Sequence, residues 1–290
     1  MPVLYSYTAM IPSILPSTGP IGVFDSGYGG LTILDKIRGL MPEYDYIYLG
    51  DSARCPYGPR SFEVVYEFTL QAVSKLFELG CPLVILACNT ASAKALRTIQ
   101  QINLPVIDAT RRVLGVIRPT AECIGEITRS RHVGILATAG TIKSESYLLE
   151  IHKLSPDIVV TGEACPMWVS LVENNEYQSE GADYFVKQHI NRLLDKDPMI
   201  DTIILGCTHY PLLLDKIRQF TPGHIRIIAQ GEYVARSLQD YLNRHPEMDA
   251  RCEKGGKCRF LTTESENKFE ESASIFLGRQ DIKVKSIALE

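Results

Sequence analysis

Residues 83–88 read Leu-Val-Ile-Leu-Ala-Cys, an apolar run of about one strand's length that ends on Cys88. Residues 202–207 read Thr-Ile-Ile-Leu-Gly-Cys and repeat this pattern 119 positions later, ending on Cys207. A run that is apolar at nearly every position, without alternation, is typical of a strand buried on both faces of a parallel sheet. The two runs therefore predict parallel strands that carry a cysteine at the carboxyl end.

A second, weaker repeat precedes each of these runs. Residues 21–24 (Ile-Gly-Val-Phe) resemble residues 133–136 (Val-Gly-Ile-Leu), which follow 112 positions later. Each part of the chain thus opens with one strand and later contains a strand that ends on a cysteine. Two matches in the same order at nearly equal offsets predict two pseudo-symmetric α/β domains that face each other across a cleft.

The rest of the chain alternates between short apolar runs and segments of helical periodicity. We predict strands at 21–25, 45–49, 82–87, 132–137, 157–160, 202–206, 225–229 and 259–262. We predict helices at 31–40, 61–79, 91–102, 142–152, 181–194, 212–220 and 233–244. Strands that alternate with helices indicate an α/β fold with parallel sheets, in which ligands bind at the carboxyl ends of the strands.

The bulk composition argues against several classes of function. The 290 residues carry a net charge of −4, which gives no general attraction to nucleic acid or to anionic membranes. No apolar run approaches the roughly 20 residues that span a bilayer. Residues 1–20 contain prolines but no Lys or Arg, unlike a secretory signal, so we interpret them as an N-terminal extension. The eight cysteines are scattered without zinc-finger spacing, so we expect reduced thiols in the cytoplasm and no metal.

Cys88 and Cys207 are the candidate catalytic residues. Small hydroxyl or amide side chains follow each one, Asn89 and Thr90 after the first and Thr208 after the second. Backbone N–H groups at the start of a following helix would lower the pKa of such a thiol and favour a bound carboxylate. Two similar groups on opposite sides suit the removal of the α-proton of an amino acid and its return to the other face. No Lys lies in these motifs to hold pyridoxal phosphate, so we expect no cofactor.

The loop after the first predicted strand, residues 25–30 (Asp-Ser-Gly-Tyr-Gly-Gly), is rich in glycine, which lets a backbone approach a ligand closely. It lacks the spacing of a dinucleotide-binding motif and the Lys of a phosphate-binding loop. Asp25 at the strand end could orient a substrate ammonium group or accept a proton from a thiol. The alternative is that Asp25 only caps the following helix.

A second loop, residues 50–59, follows the second predicted strand and contains Pro and Gly. Tyr57 and Gly58 could present a backbone N–H group to a carboxylate. Asp51 either faces the ligand or accepts hydrogen bonds that stabilise the loop. We do not expect Cys55 to be catalytic, because no strand end positions it.

Two further residues could assist the thiols. His209 lies two residues after Cys207 and could shuttle its proton or stabilise it as a thiolate, the alternative being a structural histidine. Glu173 follows a short apolar run and either enters the cleft as a substrate contact or stays outside it.

Taken together, these motifs resemble those of the glutamate racemases, within the aspartate/glutamate racemase family. The resemblance covers about residues 21–286 and rests on four motifs in order: 25–31, 50–51 with 56–58, 87–92 and 206–211. It continues weakly through 140–142, 164–166 and 231–232. One departure lies at 229–232 (Ala-Gln-Gly-Glu), where the family often has an acidic residue before the Gly-Glu pair, so we assign no role there.

The resemblance implies a first domain of residues 21–115 plus 225–290 and a second domain of residues 116–224. It implies cofactor-independent interconversion of L- and D-glutamate for bacterial peptidoglycan, usually by a homodimer. Cys88 and Cys207 would be the two acid/base residues, with Cys88 acting on the D-enantiomer, and Asp25 and His209 would assist them. The implied substrate contacts are Asp25, Ser26, Tyr57, Gly58, Asn89, Thr90, Thr208 and His209.

Two alternatives stay open. A racemase for aspartate or another small acidic amino acid could use the same two-cysteine plan, because substrate length depends on the volume of the cleft. A binding or regulatory protein could also have inherited the site without turning substrate over.

Overall fold

The computed structural model describes residues 18–278 and 282–289, so residues 1–17 of the predicted N-terminal extension lie outside the described residues. The strands are β1 Ile21–Asp25, β2 Tyr46–Gly50, β3 Leu83–Leu86, β4 Arg112–Gly115, β5 His132–Ala137, β6 Val159–Ala164, β7 Thr202–Gly206, β8 Arg226–Ile228, β9 Cys258–Thr262 and β10 Val284–Ser286. The helices are α1 Leu31–Leu40, α2 Phe62–Glu78, α3 Asn89–Lys94, α4 Leu96–Thr98, α5 Leu104–Ile107, α6 Ile117–Ile127, α7 Ala139–Lys143, α8 Ser146–Leu154, α9 Pro166–Glu173, α10 Glu180–Lys196, α11 Leu214–Phe220, α12 Gly231–Arg244, α13 Pro246–Asp249 and α14 Glu266–Leu277.

The strands form two parallel sheets. One has six strands in the order β10-β9-β2-β1-β3-β4, and the other has four in the order β6-β5-β7-β8. We call the six-stranded sheet and its helices the first half, and the four-stranded sheet and its helices the second half. The prediction of an α/β fold with parallel sheets is confirmed.

The internal repeat extends to the register of the strands. The order β2-β1-β3-β4 of the first sheet recurs as β6-β5-β7-β8 in the second. Gly22 pairs with Val84 between β1 and β3, and Gly134 pairs with Ile203 between β5 and β7. These are the residues that the two sequence repeats match to one another. The carboxyl ends of β3 and β7, which precede Cys88 and Cys207, therefore occupy equivalent places in the two halves.

Each sheet is buried on both faces. Val23 and Phe24 are consecutive in β1 yet belong to different core clusters, and so do Ile135 and Leu136 in β5. Burial on both faces explains why these strands lack alternation of polar and apolar residues. It also holds the strand ends rigidly, which matters for any side chain placed there.

The chain crosses from the first half to the second after β4 and returns between β8 and α12. We predicted residues 225–290 in the first domain, but β8 pairs with β7 in the second sheet. Helix α12 packs with α1 in the first half. The domain division that we now propose is therefore 21–115 plus 229–290, and 116–228.

Several predicted elements differ in detail. The predicted helix at 142–152 is two helices, α7 and α8, which are separated by Glu145 in the left-handed region with a φ of 55°. The predicted helix at 91–102 is likewise broken, into α3, α4 and a π-helical turn at Ile99–Asn103. Strands β4 and β10 and helices α5, α6, α9, α13 and α14 were not predicted. Both strands are short and lie at edges of the sheet with exposed positions, so their apolar signal is weak.

Among the described helices, none is both long enough and apolar enough to cross a membrane.

Candidate active site

Both candidate cysteines line one small cavity between the two halves. Cys88 is 6% exposed and Cys207 is 7% exposed. The cavity has a volume of about 20 Å³, which is room for about one water molecule. Its lining residues are Ser26, Cys55, Pro56, Tyr57, Gly58, Cys88, Asn89, Thr90, Thr138, Val169, Cys207, Thr208 and His209.

Cys88 stands at the N-terminus of α3. Its sulfur accepts a hydrogen bond from the Ala91 backbone N–H at 3.4 Å, and its S–H donates to Ser26 Oγ at 3.4 Å. We predicted that the helix N-terminus would lower the pKa of this thiol, but burial and the nearby Asp25 raise the pKa of Cys88 to about 12. Removal from water therefore outweighs the two hydrogen bonds, and Cys88 is a neutral thiol at physiological pH.

Asp25 is fully buried behind Cys88. Its Oδ2 accepts a hydrogen bond from Gly27 N–H at 3.0 Å, and its Oδ1 accepts one from Thr208 Oγ at 3.3 Å. Burial raises the pKa of Asp25 above its usual range. Its carboxyl group also accepts a hydrogen bond from the backbone of Gly30, the residue before α1 begins at Leu31, so the role at the helix start and the role in the site coexist. Through Thr208, Asp25 also joins the first half to the loop that follows Cys207.

The surroundings of Cys207 are different. A turn and a 3₁₀ helix, Tyr210–Leu213, follow it, so the predicted helix N-terminus is missing from this side. Its sulfur lies 3.9 Å from Nδ1 of His209, whose Nε2 lies 3.0 Å from Oε1 of Glu173. Although burial opposes the charge, the contacts with Cys207 and Glu173 raise the pKa of His209 to about 10. The second candidate thiol therefore has a cationic imidazole as its neighbour, where the first has a buried carboxyl group.

Glu173 is the last residue of α9 and lies behind His209, outside the set of described residues that line the cavity. We predicted it as a candidate substrate contact, whereas its carboxylate contacts the side chains of His209 and Cys55. Burial acts to raise the pKa of Glu173, but the hydrogen bonds and charge of its partners lower it overall. Its connection to Cys207 is through His209.

The loop at 50–59 closes one side of the cavity. Asp51 is fully buried and accepts hydrogen bonds from Tyr57 Oη at 2.5 Å, Arg54 Nε at 2.7 Å and Thr263 Oγ at 2.8 Å. Of the two roles considered for Asp51, the structure supports the stabilisation of the loop. These bonds hold Tyr57 and Gly58 against the cavity. Cys55 also lines it, although no strand end positions this residue.

The two halves touch at the rim of the cavity through backbone atoms. The N–H of Gly140, in α7, donates to the carbonyl oxygen of Gly58 at 3.0 Å. A Cβ at Gly140 would lie 2.6 Å from that oxygen, so this close approach requires glycine.

A ring of three hydrogen bonds fixes Asn89. Its Nδ2 donates to Gln230 Oε1, Gln230 Nε2 donates to Tyr147 Oη, and Tyr147 Oη donates to Asn89 Oδ1, each at 2.7 Å. We assigned no role to residues 229–232, yet Gln230 is buried directly behind a candidate substrate contact. The three residues come from α3, α8 and the crossing before α12, so the ring also ties the halves together.

Thr138 is a cavity residue that the sequence analysis missed. It follows β5, and its Oγ lies 2.9 Å from Oγ of Thr90 in the first half. A signal was present, because Thr138 lies 112 positions after Ser26, the same offset that relates β1 to β5. Applying the strand-end rule to both halves would have found it.

Chemically, the site has two buried thiols, one beside a carboxyl group and one beside a cation, and several hydroxyl and amide groups near them. Such a pair can take a proton from one side of a carbon atom and supply a proton to the other. The cavity in this structure is too small for a ligand larger than a water molecule, so residues around it must move for such a ligand to enter.

The chain is similar to proteins of known name over most of its length. The family model described as Asp/Glu/hydantoin racemase matches residues 32–238. A glutamate racemase of Bacillus cereus is 40% identical, in an alignment that covers 93% of this chain and 97% of that protein.

Solved structures agree with these sequence matches. A glutamate racemase isoform of Bacillus anthracis has a TM-score of 0.85 and 36% identity, covering 93% of this chain and 98% of that one. A glutamate racemase of Francisella tularensis in complex with D-glutamate has a TM-score of 0.83 and 31% identity, covering 94% and 99%. The chain thus belongs to the Asp/Glu/hydantoin racemase family, as its motifs predicted, and is an isomerase that acts on amino acids.

Proposed function

We propose that this chain interconverts L- and D-glutamate by a two-base mechanism in which Cys88 and Cys207 act on opposite faces of the α-carbon. The observation that carries the proposal is that both thiols line one cavity from equivalent strand ends of two pseudo-symmetric halves. None of the described lining residues is a Lys, the residue that would form a Schiff base with pyridoxal phosphate. We therefore propose a reaction that needs no cofactor.

The Cys207 thiolate removes the α-proton of L-glutamate, and the electron pair of the C–H bond stays on carbon. Cys88 then donates its S–H proton to the opposite face, which gives D-glutamate and leaves a thiolate at Cys88. The reverse sequence converts D-glutamate to L-glutamate, with Cys88 as the base.

The electrostatics of the ligand-free site support this assignment of the starting state. The cationic imidazole of His209 lies beside Cys207 and would attract a negative charge on that side of the site, whereas burial and Asp25 raise the pKa of Cys88 and keep it a thiol. The site is thus ready to deprotonate the enantiomer that faces Cys207. Hydroxyl and N–H groups in the cavity would stabilise the negative charge that develops on the substrate.

Glutamate is proposed as the substrate because the named relatives are glutamate racemases, one of them in complex with D-glutamate. By their position in the cavity or directly behind it, the proposed substrate-contacting residues are Asp25, Ser26, Tyr57, Gly58, Asn89, Thr90, Thr208 and His209. We further propose that the enzyme supplies D-glutamate for peptidoglycan, in the cytoplasm and as a homodimer. These three points rest on the family resemblance.

The decisive experiment is solvent exchange followed by proton NMR. The dialysed protein is incubated in D₂O with L-glutamate or D-glutamate, without added pyridoxal phosphate. We expect deuterium at the α-carbon and formation of the opposite enantiomer from either substrate. Absence of exchange with both enantiomers of glutamate would reject the proposal. The same assay with L- and D-aspartate then separates an aspartate racemase, which exchanges aspartate, from a binding protein, which exchanges neither amino acid.

A further inference from the structure

A third thiol lies next to the residues that serve Cys207. Cys55, in the loop of the first half, donates its S–H to Oε1 of Glu173 at 2.9 Å. The Nε2 atom of His209 lies 3.0 Å from the same oxygen. Two donors from two halves of the molecule therefore converge on one carboxylate oxygen.

We propose that Cys55 is a positioning residue for the racemisation: it holds the Glu173 carboxylate against His209 and thereby maintains the cation beside Cys207. This inference rests on the proposed function and extends it to a third cysteine. Cys55 takes no part in proton transfer to the substrate. It acts on Cys207 only through Glu173 and His209.

The packing around Cys55 favours this contact. A Cβ at Gly27 would lie 3.0 Å from Sγ of Cys55 and 3.3 Å from Oε1 of Glu173. The missing side chain of Gly27 therefore leaves the space in which the thiol and the carboxylate meet. This gives a structural reason for one glycine of the loop at 25–30, which the sequence explained only as an approach to a ligand.

The charges are consistent with a thiol that donates. Burial and the negative charge of Glu173 raise the pKa of Cys55 well above its usual range, so it keeps its proton. In turn, the hydrogen bond from Cys55 helps to lower the pKa of Glu173, after the larger effect of His209. Together with Cys207, an ionised Glu173 raises the pKa of its neighbour His209.

Other groups also act on this carboxylate and must be considered in any pH measurement. Lys268, in α14, lowers the pKa of Glu173 by its charge. Asp25 raises the pKa of Cys55 by its charge. Tyr28 is affected by the charge of Glu173. None of these side chains is changed in the experiment below, so their contribution is constant.

The test compares Cys55→Ala, Cys55→Ser and, as a matched control, Cys123→Ala. Cys123 is also half-buried and also donates a hydrogen bond, to the carbonyl oxygen of Thr120, but it lies outside the cavity. For Cys55→Ala we expect kcat/KM to fall roughly tenfold, since a hydrogen bond to a charged group is lost. In the plot of kcat/KM against pH, we expect the acidic limb of Cys55→Ala to lie at higher pH than that of wild type. The reason is that Glu173 takes up a proton more readily without this donor. Compared with Cys55→Ala, Cys55→Ser should have a higher kcat/KM and an acidic limb nearer to that of wild type. Cys123→Ala should change neither kcat/KM nor the acidic limb.

A second measurement does not depend on turnover. The pKa of the His209 imidazole is followed by NMR in ligand-free wild type and Cys55→Ala, with the signal assigned by its loss in His209→Asn. We expect a lower pKa of His209 in Cys55→Ala. Cys55→Ser serves if the alanine variant does not fold, and we then expect a smaller decrease in the pKa of His209. An unchanged pKa of His209 and an unchanged pH profile would overturn the role of Cys55. If the pKa of His209 decreases in Cys55→Ala as expected but the wild type racemises no amino acid, the role of Cys55 stands and the proposed function is rejected.

Discussion

Cys88 in the first half and Cys207 in the second stand at the same point of the same four-strand arrangement, but their neighbours have opposite chemistry. Cys88 faces Ser26 and the buried carboxyl group of Asp25. Cys207 faces the imidazole of His209, which is paired with Glu173. The repeated fold thus supplies two sulfur atoms at matched positions, while the side chains around them differ in charge, a buried carboxyl group beside one and an imidazole beside the other.

This difference has a use in a reaction that needs a base and an acid at once. Two identical thiols in identical surroundings would both be protonated or both be ionised, whereas one thiolate and one thiol form a working pair. The symmetry of the fold provides access to both faces of a carbon atom, and the asymmetry of the surroundings sets the starting state.

Removing either thiol should abolish racemisation. Cys88→Ala and Cys207→Ala should each lower kcat in both directions by about 10²–10⁴-fold, the range for loss of a general acid or base. The two variants should differ in exchange without inversion: Cys88→Ala should still exchange the α-proton of L-glutamate slowly in D₂O, and Cys207→Ala that of D-glutamate. Proton NMR with chiral analysis measures both. Near-normal turnover in either variant would contradict the two-base assignment.

Removing the assisting groups should affect the two halves separately. His209→Asn and Asp25→Asn should each lower kcat/KM about 10- to 100-fold, equally in both directions, because the two enantiomers have the same free energy in water. The isotope effect for α-deuterated substrate should increase with L-glutamate in His209→Asn and with D-glutamate in Asp25→Asn. Competition between labelled and unlabelled substrate measures it. Identical changes in both variants would show that the halves are not specialised.

The pH dependence of kcat/KM should reflect the loss of the proton from the His209 imidazole in the second half. The pKa of His209, about 10, lies above its usual value, so the cation is present below that pH and is lost above it. Glu173→Gln removes a negative charge that raises this pKa, so the alkaline limb of kcat/KM should move to lower pH. The substrate's own titration is the same for wild type and variant, which makes the difference between them informative.

A control for this experiment is Glu122→Gln, which removes an exposed carboxylate paired with Arg118 on the surface. Its alkaline limb should coincide with that of wild type. If the pH profile of Glu173→Gln coincides with the profiles of wild type and Glu122→Gln, the His209–Glu173 pair is not the source of the alkaline limb.

The smallest effects are expected at Ser26 and Thr138, which occupy equivalent strand ends. Ser26→Ala removes a hydrogen bond that lowers the pKa of Cys88, so alkylation of Cys88 by iodoacetamide should slow a few-fold. Thr138→Val removes contacts with the hydroxyls of Thr90 and Thr141 and should cost about 1 kcal/mol of stability without changing this alkylation rate. Mass spectrometry of the labelled peptides measures the alkylation rate of Cys88, and thermal unfolding measures the stability. A slower rate in Thr138→Val would show that the two positions are not separable.

The comparison of the halves also shows where prediction from sequence succeeds. Strands β1, β3, β5 and β7 were predicted because complete burial leaves a local apolar signal. The edge strand β4, with the exposed Arg112, leaves almost none. The assignment of β8 to the wrong half has a similar cause: a three-residue strand does not reveal which sheet it joins.

The residues of the site divide in the same way. Asp25, Asn89 and Thr208 were identified because each lies at or just after a strand end. The roles of Cys55 and Gln230 were not, because each depends on a partner far away in the sequence, Glu173 for the first and Asn89 for the second.

By itself, the sequence determined the α/β class, the duplication and the two cysteines at strand ends, since these follow from local burial and from repeats along the chain. Only the tertiary structure decided which thiol is beside a cation and which is beside a carboxyl group. The physical reason is that a pKa depends on distance to other charges and on exclusion of water in three dimensions. Cys55, Glu173 and His209 are far apart in sequence, and their shared carboxylate oxygen exists only after the two halves have folded against each other.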